Sequence, residues 1–482
     1  MQLKFFVELA VVLAVIALGA RKGGIALGLW GGVGVLVLTV VFREQPAAPP
    51  IDVMLIILAV ISAAAAMEAA GGVAWLVGVA ERIIRRYPQQ ITIVAPLVAY
   101  LFTFGAGTGH IFYPLLPVIH EVAHDNGIRP ERPIAVATIA SQQAITASPV
   151  SAAMAALIVI LEPEGMTLTR IMLIAVPATL VGVVVAAVLS YRRGAELADD
   201  PVFRQRVEAG LVAPIPRRTE LGRSHAGTAA ALATAPRDED DLLSEAAASD
   251  GGSATDPAAG PQPGRAAGRV SAWMFLLAVG SIIVLGAVPA LRPSFPDAKT
   301  GELEPVSMAL TIQITMLAVA ALIVLVNRVD VDEIPRVPTA RAGFVALVGI
   351  FGLAWLGQTL IAANEELVVG GLSDMAKAAP WTFAIGLFLA SVLLFSQAAT
   401  TQALMPLGLT LGIGGPALAA MWPAVNGYFF LPTYGTIIAA ISFDQSGTTR
   451  IGRFVLNHSF MLPGLVATVT AVATGLGIAG LF

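Results

Sequence analysis

Residues 91–161 read ITIVAPLVAYLFTFGAGTGHIFYPLLPVIHEVAHDNGIRPERPIAVATIASQQAITASPVSAAMAALIVIL. The run is apolar enough for hydrocarbon, yet it is cut by GAGTGH at 105–110, by NGIRPERP at 126–133 and by ASPVS at 147–151. An unpaired backbone amide in lipid is costly, so such breaks persist only where the chain lines a wet cavity or is buried in protein. The stretch predicts a re-entrant hairpin over about 91–124 followed by a broken helix over about 133–161.

Working outward, uninterrupted apolar windows lie near 3–19, 24–42, 51–69 and 168–191. Each is long enough to cross roughly 30 Å of hydrocarbon, which takes about 17–25 residues. With 57% hydrophobic and 12% charged residues in 482, the bilayer is the solvent of this chain. A net charge of −4 without a basic patch argues against nucleic acid as a partner. The absence of cysteine excludes disulfides, thiolate chemistry and cysteine-ligated metals. Glu8 interrupts the first apolar run and Arg21 and Lys22 close it, so the amino terminus reads as a retained span and not as a cleaved signal peptide.

From 194 to 270 the chain turns rich in Ala, Gly, Pro and charge, with an acidic run at Asp238–Asp241, and reads as a disordered linker. Beyond it the order of the first part recurs. Apolar windows near 271–291, 306–326 and 340–361 precede an amphipathic segment at 365–379, a hairpin over about 380–411, a broken helix over about 415–442 and a last span at 454–481. The first half carries its own amphipathic segment at 71–87, with Glu81 and Arg85 spaced to pair on one face. The expected fold is an all-α polytopic membrane protein of two repeats, 1–193 and 271–482, each with about five crossings plus a hairpin. An odd number of crossings inverts the second repeat. Placing both termini outside gathers Arg21, Lys22, Arg82, Arg85, Arg86, Arg129, Arg132, Arg192, Arg193, Arg328, Arg336, Arg341, Arg450 and Arg453 inside with the linker. Lys4, Arg43, Arg170, Arg292, Lys299 and Lys377 stay outside, as the positive-inside rule requires.

Four backbone breaks at matched positions form the candidate site. At each, a half-helix can present free N–H groups and the positive end of its dipole to an anion. The residues concerned are Gly107, Thr108, Gly109 and His110; Ser148, Pro149 and Ser151; Ser396, Gln397, Thr400 and Thr401; and Pro432 and Thr433. The bland alternative is that Gly and Pro only kink helices while the hydroxyls bond back to carbonyls. His110 at a hairpin tip reads as a hydrogen-bonding cap before a proton relay, and Asp444 reads as a helix cap. His120-Glu121-Val122-Ala123-His124 matches the zinc-protease pattern, in which two histidines one turn apart bind metal. No third ligand in another span accompanies it, so neither a metal site nor an intramembrane protease is expected. Neither a G-x-S-x-G nucleophile nor a Walker A sequence occurs. Gly24, Gly28 and Gly32 recur every fourth residue on the second span, as close helix packing or a dimer contact would need.

Long strings carry a family likeness. ARKGGIALGL (20–29), PPIDVML (49–55), GTGH (107–110), NGIRPERP (126–133), ITASPVSAA (145–153), SQAAT (396–400), LPTY (431–434) and FDQSGTTRIGRFVLNHSF (443–460) resemble the Dcu family of anaerobic C4-dicarboxylate transporters. AWLGQT (354–359), SQAATTQALMP (396–406) and DDPVFRQRVEAGLV (199–212) look more like its DcuA branch. The resemblance implies uptake, antiport or efflux of fumarate, succinate, malate and aspartate across a bacterial inner membrane, without a cofactor. It also implies an elevator-type machine, commonly a homodimer, in which a transport domain slides against a scaffold. GTGH and SQAAT would be the hairpin tips, and SPVS and LPTY the breaks around substrate. The coupling ion, proton or sodium, is left open, as is a co-sensing role with a partner kinase. Gly435 follows LPTY where the family pattern has proline, and the linker is longer than usual.

Overall fold

Helices in lipid must satisfy their own backbone, so the starts of the spanning helices show how the chain manages its orphan amides. Thr167 Oγ1 accepts from Arg170 N at 3.3 Å and opens Leu168–Ser190; Ser307 Oγ accepts from Leu310 N at 3.3 Å and opens Met308–Asn327. The structure is a computed structural model that describes residues 2–22, 25–216, 265–296, 301–364, 379–394, 396–431, 434–452 and 457–482.

The helices are α1 (Gln2–Lys22), α2 (Ala26–Val40), α3 (Ile51–Ala69), α4 (Gly72–Arg86), α5 (Ile91–Ala106), α6 (Leu115–Asp125), α7 (Glu131–Ala147), α8 (Ala152–Leu161), α9 (Leu168–Ser190) and α10 (Pro201–Glu208). After the linker come α11 (Arg265–Ala287), α12 (Met308–Asn327), α13 (Pro338–Ala363), α14 (Thr382–Leu394), α15 (Gln397–Thr410), α16 (Gly415–Met421), a 3-10 segment Trp422–Phe429, α17 (Gly435–Phe443) and α18 (Met461–Ala479). Among the described residues, eight helical stretches are long and apolar enough to cross a membrane. Leu36, Leu101, Leu173, Leu277 and Leu325 stand exposed on helix flanks, where only hydrocarbon would accept them.

Two groups of helices emerge from the packing. In one, α2 lies on α13, α3 on α12 and α13, and α1 on α2. In the other, α5 packs on α7, α14 on the 3-10 segment, α8 on α15, α6 on α17, and α9 on α18. The groups meet where α13 passes α15 and α3 passes α8.

The glycine stripe on α2 serves the first group, but in a different register from the one the sequence suggests. A Cβ on Gly28 would stand 2.1 Å from Val348 O, and one on Gly31 would stand 2.4 Å from the carbonyl carbon of Gly352. Gly34 meets the Leu356 side chain, whereas Gly32 has nothing within 4 Å. At about 100° per residue, Gly31 lies between Gly28 and Gly34 on one face, about 60° from each, while Gly32 is turned about 100° away from it. Gly24 lies outside the described residues. From the α13 side, a Cβ on Gly352 would lie 1.8 Å from Gly28 O. Gly352→Leu should therefore force α2 and α13 apart and cost about 3 kcal/mol or more, since overpacking a tight contact already costs about 1–3. The check is a lowered melting temperature and a broadened size-exclusion peak in detergent.

Three further boundaries differ from expectation. The linker set at 194–270 is ordered at both ends. Residues 195–216 run along the helices, with Leu197 and Phe203 buried, and α11 begins at 265. Asp200 caps α10 through Val202 N at 2.9 Å and Phe203 N at 3.1 Å, and its other oxygen binds Arg129. Arg132 adds bonds to the carbonyls of Arg193 and Gly194 and to Glu196. Residues 217–264, with the acidic run, lie outside the described residues, as does the amphipathic segment at 365–378. The last helix starts at Met461 and not at 454, because Ile451 pairs with His458 and Gly452 N donates to Asn457 O at 2.7 Å. Finally, the loop after α11 carries a small antiparallel pair, β1 (Ser294–Pro296) with β2 (Leu303–Pro305), the one sheet among the described residues.

Candidate functional site

Hairpin one, α5 and α6, turns at Gly107. This glycine caps α5 in the left-handed region, with φ +72°, and donates its N–H to Thr103 O at 2.8 Å. A Cβ there would sit 2.7 Å from Val150 O, so the tip rests directly on the break between α7 and α8. At that break Ser148 caps α7 and Ser151 caps α8, its Oγ accepting from Met154 N at 3.0 Å. Beside the tip lies a crevice of about 120 Å³, walled by Val60 and Ala64 of α3, Thr108, Ser151 and Gly343 of α13.

Hairpin two reaches the same region from the other side. Its second arm, α15, opens at Ser396, whose Oγ accepts from Ala399 N at 3.2 Å. The first residue of that arm, Gln397, aims its Nε2 at Gln142 Oε1 (3.2 Å), Asn426 Oδ1 (3.2 Å) and Tyr428 Oη (3.4 Å). Asn426 Nδ2 continues the network to Gln143 Oε1 and Thr146 Oγ1, both at 3.2 Å, and Gln143 Nε2 donates to Thr468 Oγ1 of α18 at 3.1 Å. On the far side of Gln142 stands the tip of hairpin one, for a Cβ on Gly109 would be 3.1 Å from Gln142 Nε2. Gln142, Gln143, Gln397 and Asn426 are all buried. Both tips and both broken segments thus converge on one cluster of primary amides.

The HEVAH string of α6 points in three directions. His120 Nδ1 lies 3.3 Å from Asp444 Oδ1, Glu121 takes a two-pronged bond from Arg85, and His124 Nε2 lies 3.0 Å from Ala213 O. Arg85 also holds Glu81 at 2.9 Å, the pair expected on one face of α4. The motif fastens the hairpin arm to α4, to the ordered start of the linker and to the 444–449 loop. Asp444 is the cap the sequence suggests, closing α17 and holding the turn behind it.

A family model described as "Anaerobic c4-dicarboxylate membrane transporter" matches residues 4–482. The chain belongs to this family. It is 38% identical over 470 residues to the C4-dicarboxylate transporter DcuA of Escherichia coli, covering 97% of this chain and 98% of the relative. It is 37% identical over 476 residues to the anaerobic C4-dicarboxylate transporter DcuB of Escherichia coli, covering 98% and 97%. DcuA of Wolinella succinogenes is 35% identical over 472 residues, covering 98% of each chain. The two branches stand almost level in identity. Membership in this family makes the protein a membrane transporter and not an enzyme.

For this Dcu family member, the structure redistributes the donors proposed from sequence. Thr400 Oγ1 donates to Ser396 O at 2.8 Å, Thr401 Oγ1 donates to Gln397 O at 2.7 Å, and Ser151 Oγ donates to Ser148 O at 3.3 Å. Thr401 also accepts from Trp422 Nε1 at 2.8 Å, and Ser148 Oγ accepts from Val150 N at 3.4 Å. A hydroxyl has one proton, and Thr400, Thr401 and Ser151 spend theirs on their own backbone. Gly107, Thr108 and Gly109 sit at the tip, Pro149 sits in the break, and Gln397 reaches the cluster. His110 falls in a 3-10 turn, Gly109–Phe112. Its side chain, with Pro432 and Thr433, lies outside the described residues. Sequence reasoning passed over Gln142, Gln143 and Asn426. Their signal was available as amide side chains inside apolar spans, in SQQAIT (141–146) and WPAVNGY (422–428).

Proposed function

We propose that this protein exchanges C4-dicarboxylates such as fumarate, succinate, malate and aspartate across the bacterial inner membrane, binding one at the amide cluster between the hairpin tips. The convergence of Gly109, Gln142 and Gln397 carries this reading, because two mobile-type hairpins meeting at buried donors form a gated anion site. Amides and half-helix ends recognise carboxylates without a fixed cation, which leaves the net charge of the loaded site to the substrate and its coupling ion, proton or sodium.

An inverted two-repeat plan is supported by how the helices pair. Exchanging the halves turns α2 on α13 into α12 on α3, and α6 on α17 into α15 on α8. The contacts of α9 with α18 and of α3 with α13 map onto themselves. In an elevator cycle, α1–α3 and α11–α13 serve as the scaffold, and the family resemblance supports a dimer built on it. The hairpins, broken helices, α9 and α18 carry the substrate past it. The small residues lining the crevice, among them Ala64, Ala106, Ala152, Ala155, Ala342 and Gly343, offer little obstruction to sliding. The charge bias of the loops supports an orientation with both termini in the periplasm and the linker in the cytoplasm.

Purified protein in liposomes loaded with succinate should take up labelled fumarate or aspartate, and not acetate, above empty vesicles. Initial rates across pH and sodium gradients in the same vesicles identify the coupling ion. Uptake of acetate without exchange of dicarboxylates would overturn the proposal.

A further inference from the structure

Gln142 lies in α7, close before the Ser148–Ser151 break, with 2% of its surface exposed. A primary amide has two N–H donors and an acceptor oxygen, and burial makes each unmet valence costly. Its oxygen accepts from Gln397 at the start of the second arm of hairpin two, and its nitrogen rests against Gly109 at the tip of hairpin one. One side chain therefore touches both tips. Gly109 permits this by having no side chain, since a Cβ would stand 3.1 Å from Nε2 and 3.7 Å from Cδ of Gln142.

The donor on the other side is oversubscribed. Gln397 Nε2 carries two protons but faces three oxygens, those of Gln142, Asn426 and Tyr428, at 3.2–3.4 Å. Each bond is longer than the usual N–H···O distance of about 2.9–3.0 Å. A carboxylate accepts a hydrogen bond roughly twice as strongly as a neutral amide oxygen. A carboxylate arriving between the tips can therefore draw the Gln397 amide away from Gln142.

We propose that Gln142 is a positioning residue that latches the two hairpin tips together, and that a substrate carboxylate opens the latch by competing for Gln397. This rests on the proposed transport of dicarboxylates. It makes tip opening depend on an anion, which limits leak through the gate.

The chain contains no cysteine, so a single Ala106→Cys reporter at the crevice reads tip opening by thiol labelling. The reporter chain in succinate-loaded vesicles is the reference. Adding Gln142→Ala should raise the labelling rate about fivefold or more and lower the KM for fumarate about fivefold, because the substrate no longer has to win Gln397 from a hydrogen bond of ordinary strength. Gln142→Glu, whose carboxylate still accepts from Gln397, should return labelling to the reference rate while raising KM above the reference, by holding Gln397 more strongly and repelling the dianion. Gly109→Ala, which presses on the Gln142 amide from the other tip, should raise labelling as Gln142→Ala does. Labelling and KM both within twofold of the reference in Gln142→Ala would overturn the latch, as would raised labelling in Gln142→Glu equal to that of Gln142→Ala. If Gln142→Ala does not fold, Gly109→Ala and Gln142→Glu decide by the same readouts. A reference chain that labels but exchanges no dicarboxylate would instead count against the transport reading, leaving the latch to the labelling comparison.

Discussion

Gly107→Ala is expected to abolish exchange in liposomes while leaving the protein inserted and folded enough to purify. Two separable penalties fall on this position. The first is conformational: at φ +72° an L-residue with a Cβ loses about 1–2 kcal/mol. The second is steric. The new Cβ would lie 2.7 Å from Val150 O and 2.9 Å from its carbonyl carbon, both backbone atoms of the break on which the tip rests. Neither atom can rotate away as a side chain would. The tip or the break must shift by several tenths of an ångström, and the amide cluster next to both shifts with them. Gly165→Ala is the matched control. It has nearly the same dihedral, φ +71°, but nothing within 4 Å of the added Cβ. It should lower the melting temperature modestly and leave the exchange rate intact. Normal exchange by Gly107→Ala, with the same small stability loss as Gly165→Ala, would remove the tip contact from the mechanism.

The contrast between these two glycines also marks what a sequence can disclose. Gly107 stood out because GAGTGH interrupts hydrocarbon, and lipid gives the backbone no other partner for its amides. The helix break at 148–151 and the helix start at Ser396 were legible for the same reason. Which groups the breaks would present was not. Thr400, Thr401 and Ser151 are hydroxyls at the right places, but rotation about one bond decides whether the proton meets a ligand or the preceding turn, and here it meets the turn. Gln142 and Asn426 reach the cluster from the interiors of their segments, where no break in pattern draws notice. The linker boundary misled for a different reason. The composition of 194–212 is polar, yet Leu197 and Phe203 are enough to dock it once Arg129 and Arg132 supply partners for Asp200 and Glu196. Composition averages over such anchors. On α2, a sequence repeat of four found the correct helix and the correct chemistry but put Gly32 on a face with nothing opposite it.

Asp444→Ala should produce the largest loss of stability among substitutions outside the amide cluster. The carboxylate is 4% exposed and holds a turn together from one end. Oδ1 accepts from Ser446 N at 3.0 Å and from Ser446 Oγ, while Oδ2 accepts from Thr448 Oγ1 at 2.9 Å and Thr449 N at 2.6 Å. Thr448 Oγ1 in turn accepts from Glu131 N at 3.1 Å, at the start of α7, and His120 of hairpin one faces the same carboxylate. Alanine leaves several of these donors buried without an acceptor, at about 1–3 kcal/mol each, so a total of about 3–5 kcal/mol is expected. Asp444→Asn keeps one accepting oxygen and should lose about half as much by the same reckoning. The charge can be tested by pH, since Asp444 lies in a loop beyond the spanning helices. Burial alone would raise its pKa; the hydrogen bond and charge of His120, with donors Ser446 and Thr449, outweigh that and hold it at about 2, against 3.8 ordinarily. A carboxyl lowered on folding stabilises the native state fully above its unfolded pKa, and that stabilisation is lost as pH falls through the folded value. The melting-temperature gap between the unsubstituted protein and Asp444→Asn should therefore narrow as pH falls from about 4 toward 2. A gap that widens between pH 4 and 2 would mean the buried carboxylate is not what anchors this loop. Because the loop joins the end of α17 to the start of α7 and to hairpin one, the same variant should slow exchange even at temperatures where it remains folded.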